Sequence, residues 1–515
     1  MAETALKAAM GAPVVANEPA FITPDNSQAA QPSIAIIGTG FSGLCAAIRL
    51  KRAGFDNFVI YEKGGDFGGV WRENTYPGAA CDVPWHLYSF SFEYSNQWSS
   101  RYPPQPEILK YIRACARKYG LYEHCRFNTE VESAAFDKDS GRWSVATKDG
   151  DAQEYRAVIT GVGQLSRPAF PRIKGIEDFR GHSFHSALWD HDCNLKGKRV
   201  AVIGTGASAI QFIPEIAPEV SQLTIFQRSA PYILPRLNLV YGAVNKFLFR
   251  FIPRYGHLYR LFLYELGDNS IAAFNGKGLM SGLFKWWAQH HLKSQVPDPE
   301  LRAKLTPDYP VGCKRVLFHS DYYPALTRDN VEVETTGISH ISQKGVVTTD
   351  GVEHEVDVII YGTGFKATEF LAPINFRGKD GQTLEERWSD GAEAYLGVSV
   401  DGFPNLFMCY GPNTNLGSNS IIFMIECQTH YITQCIRKLA DGRTKYLDVK
   451  PGVLREFNDV LQDKLKASVW SAGCSSWYHT DDGRVTNNWP NKTKKYQRLT
   501  RKFRLDDYQV ALQNR

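Results

Sequence analysis

Two short apolar runs in this chain each lead straight into a glycine-rich turn and then a helical pattern. Ser33 to Ile37 is followed by Gly38-Thr39-Gly40-Phe41-Ser42-Gly43, and helical periodicity continues to Ala53, with a stop at Gly54 and a second strand from Asn57 to Glu62. Val200 to Ile203 leads in the same way into Gly204-Thr205-Gly206-Ala207-Ser208-Ala209. Between them, Trp143 to Thr147 and Tyr155 to Ile159 read as strands flanking a turn at Asp149-Gly150, and Pro168 and Pro171 mark a linker. The second unit starts near Lys198 and is interrupted over 235–305, where large apolar residues recur at helical spacing among scattered basic ones. Strand character resumes at Asn330 to Thr336 and at Val356 to Tyr361, which ends on another glycine turn, and a helix is predicted from Ser420 to Leu439.

Strand, tight glycine turn and helix together let a backbone approach a pyrophosphate, which then rests against the free N–H groups of the helix start. Twenty-four residues beyond the first glycine of each motif stand Glu62 and Arg228. A carboxylate there accepts hydrogen bonds from ribose hydroxyls, so the first site suits FAD or NAD; a guanidinium matches a 2′-phosphate, so the second suits NADPH. The expected fold is α/β, with two Rossmann-like dinucleotide-binding domains, the second inserted in the first and carrying the helical insertion. Residues 1–30 read as a flexible Ala/Pro-rich tail. Residues 31–168 and 374–515 form the two parts of the FAD domain, the latter ending in a C-terminal loop, and 169–373 the NADP domain.

Composition narrows the class. Hydrophobic content of 43% and charged content of 22% are those of a soluble globular chain, and 13% aromatic is rather high, which fits pockets for flat rings but is equally explained by packing alone. A net charge of +5 without long basic blocks gives no support for nucleic-acid binding. The ten cysteines include no CxxC pair, which argues for a reduced compartment, against a disulfide reductase and against a metal cluster. With no signal-like start and no long uncharged apolar stretch, the expected location is cytoplasmic, without a transmembrane segment. The 235–305 insertion is read as a helical cap over the substrate pocket, with a peripheral membrane surface as the alternative. Within it, Trp286, Trp287, His290 and His291 read as packing residues rather than a site.

Two further stretches name a family. Gly68-Gly69-Val70-Trp71 runs through Tyr76-Pro77-Gly78 to Asp82, and Phe179-Arg180-Gly181 runs through His185 to Trp189-Asp190. With both fingerprints, they make the chain resemble the class B flavin monooxygenases, specifically the type I Baeyer-Villiger monooxygenases, over nearly its whole length. The resemblance implies an enzyme that uses FAD, NADPH and molecular oxygen to convert a small hydrophobic ketone to an ester or lactone through a C4a-peroxyflavin, as a monomer or dimer. It assigns Gly38, Gly40, Ser42, Gly43, Glu62, Val70, Trp71, Asp82, Tyr88 and Val131 to FAD. To NADPH it assigns Thr205, Gly206, Ser208, Arg228, Ser229, Lys314 and a closing-loop Trp477. Lys314-Arg315 followed by Asp321-Tyr322-Tyr323 resembles the stretch that carries the family's active-site arginine. Arg315 is therefore the expected catalytic cation beside the cofactors, with Asp82 as its partner. Phe179, Gly181, His185 and Trp189 are expected to act from the linker between domains. An N- or S-oxygenating flavin enzyme and a flavin-bearing redox sensor are the competing readings; the Trp189-Asp190 ending and Arg315 favour ketone oxidation.

Overall fold

The computed structural model describes residues 31 to 513 except 96, 253–254, 273–278, 472, 474–477 and 481, so the N-terminal tail and Trp477 lie outside the described residues. The chain opens with β1 (Ile34–Ile37), α1 (Phe41–Arg52), β2 (Phe58–Tyr61) and β3 (Cys125–Arg126). Next come β4 (Val131–Asp137), β5 (Arg142–Thr147), β6 (Ala152–Tyr155), β7 (Ala157–Thr160) and β8 (His182–His185). After β9 (Arg199–Ile203), α2 (Ala209–Ile216) and β10 (Gln222–Phe226), helices α3 (Ala243–Phe251), α4 (Tyr255–Ser270) and α5 (Leu279–Gln295) intervene. Strands β11 (Val331–Glu334), β12 (Val358–Tyr361), β13 (Asn375–Arg377) and β14 (Leu406–Met408) and helix α6 (Ile421–Leu439) complete the frame of the site.

Two parallel five-stranded sheets result. One has the order β14-β7-β1-β2-β3 and the other β11-β10-β9-β12-β8, so the strand feeding each glycine fingerprint is central. Strands β8 to β12 come between β7 and β14 in sequence, and the first sheet is completed only after the second is built. Every residue of β1 and of β7 is buried, as strands covered on both faces require. Each isoleucine so buried stabilises the fold by about 1.5–3 kcal/mol. On one face α1 packs against α6, whose first turn is capped by the Ser420 hydroxyl accepting from the Ile422 N–H at 3.2 Å.

The structure revises two expectations. The apolar run Tyr155 to Ile159 is not one strand: β6 closes the mixed sheet β13-β4-β5-β6, in which β13 pairs with β4 in parallel and the other pairs are antiparallel, while β7 enters the first parallel sheet, and Arg156 is the single residue between them. Among the described residues eight cysteines are free, but Cys313 is disulfide-bonded, which departs from the reduced reading. A bridge depends on spatial approach, which cysteine spacing along the chain does not reveal. Among the described residues, no helix is long and apolar enough to cross a membrane, and no cluster of three or more His, Cys, Asp or Glu is placed to hold a metal.

Candidate active site

Both fingerprints open at the C-terminal ends of their central strands onto one cavity of ≈ 1350 Å³. The glycines in each fingerprint serve distinct physical ends. Gly38 and Gly204 have φ of +101° and +103°, and a Cβ on either would strike the carbonyl of Gly161 or Gly362 at 2.7 or 2.6 Å, so both are fixed by the tight turn. A Cβ on Gly43 would sit 1.9 Å from the Gly38 carbonyl, so this glycine permits close helix–strand packing and does not line the cavity. Gly40 and Gly206 differ. A Cβ there would meet protein no closer than 3.7 Å, yet both line the cavity, leaving room for a backbone-bound group rather than relieving a protein clash. The residues present therefore fit two pyrophosphates, one at each helix start.

At the end of β2 the buried Glu62 carboxylate accepts from the Thr39 N–H (3.0 Å) and hydroxyl (2.5 Å), the Gly64 N–H (2.8 Å) and Arg72 Nη2 (2.9 Å). Those four donors fill its acceptor directions, so a ribose hydroxyl binding here would displace one of them. Ser42, Val70, Trp71, Tyr88 and Val131 all line the same side of the cavity, and Trp71 Nε1 donates to the Tyr88 hydroxyl at 3.1 Å.

The opposite end is basic. Lys314 Nζ donates to the Ser229 hydroxyl at 2.7 Å and lies 4.6 Å from the centre of the Tyr309 ring. Neither Lys314 nor the exposed Arg228 has an ion-pair partner among the described residues. Burial, and then the positive charge of Arg228, lower the Lys314 pKa. Two uncompensated cations beside Thr205, Gly206 and Ser208 form an electrostatic seat for a phosphate.

Between these ends lies the pair the sequence singled out. Arg315 donates from Nη2 and Nε to a single oxygen of Asp82, at 2.6 and 3.2 Å. The Asp82 charge raises the pKa of the guanidinium further above its ordinary value, while burial opposes that rise. Asp82 is carried on a loop tied down by backbone bonds from Cys81 to Pro103 (3.1 Å) and from Trp85 to Arg101 (2.9 Å). Arg315 precedes the short strand Leu317–Phe318, which pairs with Ile233–Leu234. The ion pair thus joins segments 233 residues apart in sequence.

Sequence reasoning missed two contributors. Gln211 on α2 accepts from the Tyr76 hydroxyl (3.0 Å) and the Ala80 N–H (3.3 Å) and donates to the Ala80 carbonyl (3.0 Å), clamping the Asp82 loop to the second unit. Tyr410, in a left-handed backbone conformation (φ +59°), presents a phenol to the cavity that donates to Asn415 at 2.7 Å. A lone glutamine in a helix carried no signal, and the Tyr410 turn preceding Gly411-Pro412 carried only a weak one.

The linker motif is placed apart from the cavity. Gly181 is obligatory, since a Cβ would lie 2.4 Å from the Phe179 ring and 2.6 Å from the Asp357 carbonyl. Trp189 packs on Phe184 and Phe212. His185, at the end of β8, is fully buried; its Nδ1 accepts from the Ala187 N–H at 3.1 Å and its ring contacts Phe170 and Phe365, which do line the cavity. Burial lowers the His185 pKa to about 4, so it is neutral near pH 7. Nor does the insertion cap the pocket as expected: no described residue of 235–305 lines the cavity. Its helices cover the 85–102 segment instead, with Phe249 and Tyr259 against His86, and Arg260 donating to the carbonyls of His86 and Ser89.

Comparison with known proteins follows the same outline. Residues 31–373 match the model of the flavin-binding monooxygenase-like family. A Baeyer-Villiger monooxygenase of Pseudomonas aeruginosa is 45% identical over 95% of this chain and 93% of its own, and one of Streptomyces coelicolor 43% identical over 93% and 92%. Among solved structures, cyclohexanone monooxygenase from Rhodococcus sp. Phi1 bound to NADP+ superposes with a TM-score of 0.85 at 28% identity, covering 94% of this chain and 99% of that one. OTEMO in complex with FAD and NADP superposes at 0.84 with 26% identity, covering 94% and 100%.

Proposed function

Because this chain belongs to the flavin-binding monooxygenase family, among its Baeyer-Villiger monooxygenases, we propose that it inserts one atom of dioxygen beside the carbonyl of a small hydrophobic ketone, giving an ester or lactone. The observation that carries this reading is the Asp82–Arg315 pair, set in one cavity between two dinucleotide cradles. When bound, NADPH would supply the hydride that reduces FAD, and the reduced FAD would activate dioxygen.

The protein's own residues do the rest. Residues 31–168 and 374–515 hold FAD, with Gly40 and Ser42 at the pyrophosphate, Glu62 at the ribose, and Val70, Trp71, Tyr88 and Val131 forming the wall beside the ring system. Residues 169–373 hold NADPH. Thr205, Gly206 and Ser208 face its pyrophosphate, and Arg228, Ser229 and Lys314 its 2′-phosphate. Arg315 keeps a permanent positive charge where negative charge develops on the carbonyl oxygen, and Asp82 holds that guanidinium in place. His185 and Trp189, behind the cavity wall, hold the segment between the two units.

The test is anaerobic reduction of the flavin by NADPH, followed by isotopically labelled dioxygen with a panel of aryl, cyclic and long-chain 2-ketones. The expected result is an ester or lactone carrying one labelled oxygen. Oxygenation of amines or sulfides with no ketone consumed would replace this reading with the N- or S-oxygenating one. Reoxidation to hydrogen peroxide alone, with every substrate class, would leave a redox sensor.

A further inference from the structure

The insertion helices carry their apolar stripes on the wrong side for a core. On α3, Val244, Phe247 and Phe251 follow one another at spacings of three and four and are each more than half exposed. On α4, Leu258, Phe262 and Leu266 follow at spacings of four and are likewise each more than half exposed, and on α5 Leu283 and Trp286, three apart, are so too. Such spacing places residues on one helical face, which on a surface helix normally turns inward. Here the inward faces are separately satisfied: Phe249 of α3 and Tyr259 of α4 pack on His86, while Tyr264 of α4 and Phe284 of α5 pack on one buried cluster. α3 and α4 follow one another directly in the chain and are in contact. An apolar surface of this extent marks an interaction site.

Charge identifies what it meets. Residues 236–293 contain eight Lys and Arg against two acidic residues, and of these cations Arg236 and Arg260 turn inward onto backbone carbonyls of the 81–102 segment. Neither acid offsets that excess, because Glu265 pairs with Lys494 at 2.6 Å and Asp268 is buried, accepting from the Thr493 N–H and hydroxyl. Lys246 on α3 and Lys285 and Lys293 on α5 are exposed. A second copy docked across a twofold would bring the same cations face to face. Lipid phosphates and carboxylates provide the missing counter-charge, and acyl chains accept the phenylalanine, leucine and tryptophan side chains. None of the described helices is long and apolar enough to cross a bilayer, so contact is with the surface.

We propose that the outer face of α3, α4 and α5 docks onto an anionic lipid bilayer. The proposal rests on exposure and charge in the insertion, independently of the chemistry assigned to the cavity. It is tested by floating the flavin-loaded protein with phosphatidylcholine vesicles with and without phosphatidylserine, and by quenching tryptophan fluorescence with brominated acyl chains. Binding should require phosphatidylserine, weaken with salt, and show quenching that is largely lost in Trp286→Phe. Combining Phe247→Ser, Phe262→Ser and Trp286→Ser should lower partitioning by at least about tenfold, and Lys246→Gln and Lys285→Gln by about fivefold each. All five positions are exposed, so flavin content should stay at the parental level in these variants. Failure of the parent to bind either vesicle, or equal binding by the triple variant, overturns the proposal. A lipid-free dimer that the triple variant dissolves, with no vesicle binding by the parent, overturns it in favour of a second copy.

Discussion

Arg315 illustrates how one side chain can be nearly assigned from sequence while its environment cannot. Its position after Lys314 suggested the role, but only the fold shows both guanidinium donors converging on one oxygen of Asp82. Removing a positioned donor of this kind typically lowers turnover by about 10²–10³-fold. Arg315→Ala is therefore expected to retain flavin reduction by NADPH in anaerobic stopped-flow while ester formation falls by at least about a hundredfold; retained ester turnover would remove Arg315 from the reaction. Arg228 belongs to a different step. With Lys314 as its uncompensated neighbour, it offers a charged contact worth about 1.5–3 kcal/mol. Arg228→Ala should accordingly cut the kcat/KM preference for NADPH over NADH by about tenfold or more, and an unchanged ratio would show that the 2′-phosphate binds elsewhere.

At the scale of elements, the glycines of the first fingerprint separate folding from binding. Gly43→Ala would drive a methyl group to 1.9 Å from the Gly38 carbonyl, so β1 and α1 would have to part and the thermal midpoint should drop sharply. Gly40→Ala meets no protein atom closer than 3.7 Å and should fold normally, but on the proposed function its methyl would crowd the pyrophosphate of FAD in the cavity that Gly40 lines. Flavin content and thermal unfolding of the two variants, read together, test this division; a destabilised but flavin-replete Gly40→Ala protein would contradict it. Both fingerprints were legible because the apolar runs, turns and helices follow one another without interruption. The boundary at Arg156 was not, since a chain that passes from one buried sheet to another leaves no polar gap in its pattern. The insertion was legible as helices but not in orientation: periodicity reports that a stripe exists, not whether it faces a core, a cavity or a surface.

Across the whole molecule, buried histidines link separate regions to a common acid response. Long-range pairings such as Gln211 with the Tyr76–Ala80 segment were invisible in the sequence, and so was the burial of His86, His185 and His319, because histidine is found in every environment. Burial lowers the pKa of His86 to about 3 and those of His185 and His319 to about 4. Each folded value lies below the unfolded value of about 6.5. As pH falls below that, the unfolded chain takes up protons that the native protein refuses, so stability declines between about pH 6.5 and 4 and for His86 to about 3; above about 6.5 these groups contribute no slope. Each histidine adds up to about 1.4 kcal/mol per pH unit to the loss. His86 isolates the effect. Neither of its ring nitrogens has a hydrogen-bond partner among the described residues, and its ring stacks on Trp85 with centroids 3.8 Å apart. His86→Phe therefore keeps the stacking and leaves no group unpaired, since Arg260 bonds to the backbone carbonyl rather than the ring. The variant should match or exceed the parent in thermal midpoint at about pH 7 and lose less stability on going to about pH 5. An identical decline in the two proteins would show that His86 takes its proton in the native state, through an opening of the aromatic cluster formed by Trp85, Tyr241 and Phe249.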